Sequence, residues 1–390
     1  MTGLPLVNYS SDTGFGYGVR AFLFNNGSRT DPLFRETPYS AQVFLQYFAT
    51  TSGWQYHWFY ADFPAVGASG FRVRGGFVYE KNTNRNYFGV GEASLHGLPG
   101  TTCDKWQKTL DESEPRGAGS TEGWFNRYSL TRPLFYIQFE HALAGPFSMM
   151  FGSEIHKTTV DTYDGKTVPV NSGKLVQGPT LLALDSPRGI RGGWNNKFRT
   201  GLSYDTRDFE PAPKDGWYAD LTGEYAGPAL GADFSYTRET WTVRRYQPVV
   251  RGLTAAMRGT FAVTQGTPPF FDYSTMGFFQ GWTEGLGGGY SLRGYKANRF
   301  AGPVTALANL ELRWDAAEWL AGGQRFLLTP ILLADGGRVF DRAKDFRLAD
   351  WKAGAGGGAR IAWNQATILN LTYGRSGEDT TIFINFGHTF

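Results

Sequence analysis

The sequence predicts an all-β fold, a transmembrane antiparallel β-barrel of about sixteen strands forming one domain over 1–390. Three observations carry the prediction. Apolar and polar residues alternate with period two along most of the chain, as they do on strands with one apolar and one wet face. No long window shows helical periodicity. The longest connections fall on one rim of the implied barrel, which is the outer-membrane pattern.

Composition agrees. The chain has 390 residues, with 52 Gly, 31 Phe, 20 Tyr and 12 Trp. Disordered chains are poor in aromatics, so this chain folds. Charged residues are 19%, below the usual ~25%. A net charge of +3 gives no case for a nucleic-acid partner. Mean hydropathy is −0.34, which a membrane barrel tolerates because every second residue faces the lumen. No apolar run reaches the ~18 residues of a membrane helix. The only cysteine is Cys103, so no internal disulfide forms. His57, His96, His141, His156 and His388 show no metal-ligand spacing, and neither metal nor cofactor is expected. The opening MTGLPLVNYS lacks a signal-peptide pattern. The expectation is therefore a mature form whose leader has been removed.

The elements follow in order. Strands are expected near 4–10, 14–25, 38–51 and 54–64, then at 70–80. There Phe71, Val73, Phe77 and Tyr79 oppose Arg72, Arg74 and Glu80. Next come 128–143, 146–159 and 196–208. In 216–227 the alternation is clearest, with Trp217, Ala219, Leu221 and Tyr225 against Tyr218, Asp220, Thr222 and Glu224. Strands at 232–247 and 252–265 follow; in the second, Leu253, Ala255, Met257, Phe261 and Val263 oppose Thr254, Arg258, Thr260 and Thr264. In 303–315, Val304, Ala306, Ala308, Leu310, Leu312 and Trp314 oppose Thr305, Asn309, Glu311 and Arg313. The last four lie at 324–338, 353–363, 366–375 and 380–390. Most reach the ~9–11 residues that cross a bilayer at a tilt.

With both ends periplasmic, the three longest connections, 81–127, 160–195 and 266–302, face outward. Inner turns such as 144–146 and 364–365 are tight, although 26–37 is a long inner connection. Trp54, Tyr56, Trp58, Trp217 and Trp314 are expected in the aromatic girdles at the membrane interfaces. A soluble sandwich or propeller is the rival fold. It would use shorter strands, and no constant repeat period is present.

The stretch GGGYSLRGYKANRF (287–300) sets a charge between glycines and aromatics. Its SLRGY (291–295) resembles the V-R-G-F/Y motif of the BamA/TamA superfamily of outer-membrane barrels, the bacterial surface antigen family. Four further pieces match in family order. LPLVNYSSDTGFGYG (4–18) resembles the first hairpin. YDTRD (204–208), followed by Pro211, Pro213 and GWY (216–218), resembles the Y-D-x-R-D…P…G-W pattern. ADGGRVFD (334–341) resembles the D-x-G-x-V-x-D segment, and FINFGHTF the last strand. Leu292 stands where Val is more usual.

The resemblance implies that the loop at about 266–302 folds back into the lumen. Arg293, with Gly294 and Tyr295, would then meet barrel-wall carboxylates, Asp335 with Glu311 nearby. A guanidinium away from bulk water needs such partners, and its planar fork matches a carboxylate. Asp205, Arg207, Asp208 and Gly216 would form a structural turn with an ion-pair network. A catalytic reading lacks a positioned nucleophile; G-x-S-x-G, H-E-x-x-H and P-loop signatures are absent from the chain.

By resemblance, the function is protein insertion into, or transport across, the bacterial outer membrane. The mechanism would use the seam between the first and last strands. Implied partners are outer-membrane lipid and lipopolysaccharide, client outer-membrane or secreted proteins, a separate periplasmic chain and a second copy of the barrel. Inserting family members carry periplasmic POTRA domains before the barrel. Here the barrel pattern starts near residue 4, so a separate chain or a removed N-terminal region would supply that work. The rivals are a passive pore or structural barrel, and an outer-membrane enzyme seeded by His141 or His156 beside a serine.

Overall fold

The computed structural model describes residues 2–10, 13–25, 39–66, 70–95, 126–165, 167–169, 175–177, 180–210, 212–279, 281–363, 367–386 and 390. Cys103, His96, His388, Pro211, the connection 26–37 and the turn 364–365 lie outside these described residues.

Sixteen antiparallel strands close into a barrel, each paired with its sequence neighbours. They are β1 (Thr2–Ser10), β2 (Gly14–Asn25), β3 (Ala41–Thr50), β4 (Trp54–Phe63), β5 (Phe71–Asn86), β6 (Arg127–Ala142), β7 (Phe147–Asp161) and β8 (Lys197–Asp205). The second half is β9 (Gly216–Ala226), β10 (Ser235–Val250), β11 (Leu253–Thr267), β12 (Val304–Trp314), β13 (Gln324–Phe340), β14 (Lys352–Trp363), β15 (Thr367–Ser376) and β16 (Thr380–Phe386). Two short segments widen the sheet. Gly192–Trp194 extends the pairing of β7, and Ala317–Ala321 forms a hairpin extension on β13.

The barrel is inside-out relative to a soluble core. Phe77, Ile155, Leu202, Leu221, Val243 and Leu332 are exposed and face the lipid. Arg238, Thr240, Arg258, Thr260, Glu311 and Arg360 are buried and face the lumen. The long connections 87–126, 162–196 and 268–303 all leave the strands at the outer rim, opposite short turns such as 143–146 and 251–252. β5 runs to Asn86, beyond the predicted 80, and its pairing with β6 shifts register between Asn82 and Arg85.

One expectation is overturned. Trp217 and Trp314 are exposed on the outer surface. Trp54, Tyr56 and Trp58 are not in the girdles; with Tyr60 they form a row on the lumen side of β4. Pairing fixes this face, because Tyr56 sits opposite lumen-facing Glu80 and Asp62 opposite Arg74. A period-two segment that is aromatic on both faces, WQYHWFYADF, gives no polarity signal to choose its inner side.

Candidate functional site

The connection between β11 and β12 folds into the lumen. It opens with a 3-10 turn (Phe270–Asp272) and a hairpin of Thr275–Phe278 with Gly281–Glu284. A bridge between Leu286 and Phe300 closes its second half around the SLRGY motif. Leu286, Leu292, Tyr295 and Phe300 pack with Leu95, Met276, Phe278, Leu307 and Val339 into an apolar cluster. The loop therefore has its own small core inside a wet barrel. Such burial explains why it holds one conformation rather than lying solvated on the rim.

Arg293 sits at the tip of this loop and is fully buried. Its Nε donates to Asp335 Oδ2 and its Nη2 to Asp335 Oδ1, both at 2.7 Å, the bidentate fork a guanidinium makes with a carboxylate. Its backbone N–H donates to the same Oδ2 at 3.0 Å, and Nη1 donates to Glu311 Oε1 at 2.5 Å. Burial works against the guanidinium charge. The hydrogen bonds and charge of Asp335, then those of Glu311, more than offset it, and the Arg293 pKa is raised. The wall completes the network. Asn309 Nδ2 donates to Asp335 Oδ1 at 2.6 Å and to Ser291 O at 2.6 Å. Glu311 also accepts from Arg313 Nε at 2.9 Å and Arg360 Nη2 at 2.8 Å.

Backbone geometry makes room for the loop. Gly294 has φ +94°, and its N–H donates to Thr381 Oγ1 of β16 at 2.9 Å. A Cβ on Gly354 would lie 2.0 Å from Arg293 O, and one on Gly374 would lie 2.8 Å from Arg293 Cβ. The glycines in β14 and β15 therefore let the loop backbone approach the wall. Ser376 Oγ donates to Gly294 O at 2.6 Å. Tyr295 OH donates to Ala353 O at 3.3 Å, and its ring stands edge-on to Phe300.

A second anchor, which the sequence reading missed, has the opposite polarity. Asp272, at the start of the loop, is fully buried against β8 and β10. Its Oδ2 accepts from Tyr236 OH at 2.8 Å and from Arg238 Nη2 at 2.5 Å. Its Oδ1 accepts from Asn195 Nδ2 at 3.2 Å and Lys197 Nζ at 3.4 Å. Burial alone would raise the Asp272 pKa, but Arg238 and Lys197 hold it well below the carboxylate range. Glu224 shares the same cations, Arg238 at 2.9 Å and Lys197 at 4.0 Å, and also pairs with Arg199 at 3.2 Å.

The Y-D-x-R-D residues form the inner turn between β8 and β9. Arg207 Nε and Nη2 donate to Asp205 at 2.9 and 2.6 Å, and its guanidinium lies 4.5 Å from the Tyr218 ring centroid. Asp208 Oδ1 accepts from the backbone N–H groups of Phe209, Lys214 and Asp215. Gly216 has φ +108°, and a Cβ there would meet Thr206 O at 2.3 Å. His156 is buried beside Glu154, which also binds Lys197 at 3.1 Å, and His141 Nδ1 lies 3.2 Å from Gly70 O.

One family model matches most of this sixteen-stranded barrel. The Omp85 superfamily domain covers residues 106–387. The chain belongs to the Omp85 superfamily. A second model, a domain of unknown function, matches residues 1–40, which contain β1 and β2 of this Omp85 barrel. Similar solved structures share the fold at low identity. BamA from Haemophilus ducreyi lacking POTRA domains 1–3 aligns at TM-score 0.57 and 13% identity, over 99% of this chain and 70% of that one. CdiB from Escherichia coli aligns at 0.57 and 11%, over 97% and 61%. CdiB from Acinetobacter baumannii aligns at 0.52 and 10%, over 99% and 59%. The chain thus spans about three-fifths of the two CdiB chains. No curated protein matches.

Proposed function

We propose that this outer-membrane barrel inserts proteins into, or passes them across, the bacterial outer membrane, and that it does so at the seam between β1 and β16. The seam carries the reading. Along β1, every position from Thr2 to Ser10 pairs with β2. On the other side, among the described residues, β1 meets β16 only at Tyr9↔Ile384 and Ser10↔Phe383. Both pairs lie at the outer end. Among the described residues, the inner stretch of β1 has no partner on its β16 side, and Pro5 within it cannot donate a hydrogen bond. An open edge of this kind can template an incoming strand by β-augmentation. Phe390 supports the same reading. It leaves the wall and enters the lumen, where its carbonyl accepts from Arg313 Nη2 at 3.0 Å and its ring lies under Arg258. Arg293 has the matching role of holding the loop as a plug, so that the lumen stays closed while the seam works.

The test is a reversible lock. Tyr9→Cys with Ile384→Cys, in a Cys103→Ser background, places two thiols at directly opposed positions. Reconstituted protein is given a urea-unfolded eight-stranded barrel, and insertion is followed by protease protection. Oxidation is expected to stop insertion and reductant to restore it. An oxidised, cross-linked protein that inserts as fast as the reduced one overturns the seam mechanism. Loss of this activity altogether, with a steady conductance, would leave a passive pore.

A further inference from the structure

Beside the plug, against β1–β6, lies a chamber of about 960 Å³, at the upper end of the roughly 300–1,000 Å³ of small-ligand sites. We propose that it is a binding site for an acidic oligosaccharide, a ligand whose sugar rings carry carboxylate or phosphate groups.

Three features of the lining lead to this ligand. The first is charge. Among the described residues, nine arginines line the chamber against three carboxylates, Asp62, Glu80 and Glu210. Glu140, Asp205 and Glu224 stand behind the lining and pair with Arg74, Arg207 and Arg199, yet arginine remains in excess. A walled, low-dielectric space with such a balance concentrates anions. Arg244 acts on the charge of Asp220 but makes no direct ion pair among the described residues. Its guanidinium lies between the rings of Tyr218 and Phe278, at 5.1 and 6.0 Å, and its Nε is buried with no hydrogen-bond partner among the described residues.

The second feature is the aromatic row of β4. Trp54, Tyr56, Trp58 and Tyr60 follow one another with ring centroids 5.9, 6.3 and 5.7 Å apart, running from the outer towards the inner rim. Aromatic faces present a flat apolar surface with a polar tip, which suits the C–H face of a sugar ring and leaves its hydroxyls to other partners. The third feature supplies those partners. Gln46, Asn82, Asn84 and Gln138 stand around the row, whereas aliphatic side chains are few in the lining. An acidic polypeptide would want aliphatic pockets for its side chains, and a simple anion would not need the aromatic row.

The experiment is tryptophan fluorescence and calorimetry on the full chain in detergent, with tetragalacturonate as probe. Maltotetraose, tetraglutamate and pyrophosphate are the comparisons. Tetragalacturonate is expected to bind saturably and about tenfold or more tighter than all three. Trp58→Ala and Arg244→Gln are each expected to weaken it about tenfold. The unheated gel mobility of each variant reports whether its barrel has formed. Equal or tighter binding of tetraglutamate, or pyrophosphate binding that ignores Trp58→Ala, overturns the proposal. So does the lack of any tetragalacturonate binding, and the wild-type comparison decides even if a variant misfolds. Titration in nanodiscs containing a short phosphorylated lipopolysaccharide separates the two sources of this chemistry. Competition with tetragalacturonate marks a membrane glycolipid and its absence a free saccharide, and either leaves the ligand class standing.

Discussion

Arg293→Ala should release the plug, and the structure sets the scale of the effect. The change removes the bidentate fork to Asp335 and the bond to Glu311 from a site with no solvent exposure. Glu311 keeps Arg313 and Arg360. Asp335 keeps Asn309, which carries no charge. Removing one partner of a buried ion pair costs about 3–5 kcal/mol, chiefly because the other charge is left stranded. At 1.4 kcal/mol per decade, that is roughly two to three and a half powers of ten in the docked-to-undocked ratio. Two readouts follow. Conductance in a planar bilayer should rise and flicker as the loop leaves the lumen. Trypsin should cut after Arg299, which is buried in the docked loop. Adding Asp335→Asn should return part of the loss, since the stranded charge is gone, so the double variant should cost less than the two single changes together. A large steady current in both wild type and variant, with Arg299 equally protected, would refute the reasoning.

Four further outcomes are expected. Gly354→Ala should open the plug much as Arg293→Ala does, because its Cβ would meet Arg293 O at 2.0 Å, whereas Gly259→Ala, with nothing within 4 Å, should conduct like wild type. Asp272→Asn should loosen the outer anchor at neutral pH. In the intact protein the Asp272 pKa is depressed, so its contribution is complete above the free aspartate value of about 3.9 and is lost only as pH falls towards the lower folded value. Trypsin accessibility of the wild-type loop should therefore be flat from pH 7 to about 4. Brominated lipids should quench the fluorescence of a variant retaining only Trp217 and Trp314 and spare one retaining only Trp54 and Trp58. Arg207→Ala should lower the unfolding midpoint, because the inner turn loses its fork to Asp205 and the contact with Tyr218.

Strand order and facing were legible because period two survives wherever one face meets lipid and the other water. Segments such as 216–226 and 304–314 fix their own phase. β4 did not, since both its faces are aromatic, and only its pairing to β5 turns Trp58 inward. The Arg293 cluster could be approached from sequence through a motif. The Asp272 anchor had no such handle. Asp272 stands in the apolar run PPFFDYS, and its partners Lys197, Tyr236 and Arg238 look like any lumen-facing residues on two separate strands. Pairing of β8 and β10 to β9 sets these residues on one lumen face, and the inward fold of the loop brings Asp272 to them; neither is a property of any local window. The chamber was hidden for the same reason, because its lining is gathered from strands far apart in sequence.

The loop also determines which side of the seam can move. Its inner half is tied to the β16 side through Gly294 to Thr381, Ser376 to Gly294, and Arg299 to Glu378 at 2.7 Å. Through Arg293 it is tied onward to β12 and β13, and through Asp272 to β8 and β10. β16 is thus braced from within. Among the described residues, β1 has only β2 and the two pairs at its outer end. Opening should therefore proceed by β1 swinging away while β16 stays against the plug. Local opening is easiest where few bonds hold the backbone. Hydrogen exchange should accordingly be faster in the amides of Leu6–Asn8 than in those of Thr381–Ile384. Arg299→Ala should narrow that gap by loosening β16, because it cuts the tie to Glu378. Equal protection on both strands, or faster exchange in β16, would show that the loop does not brace the seam.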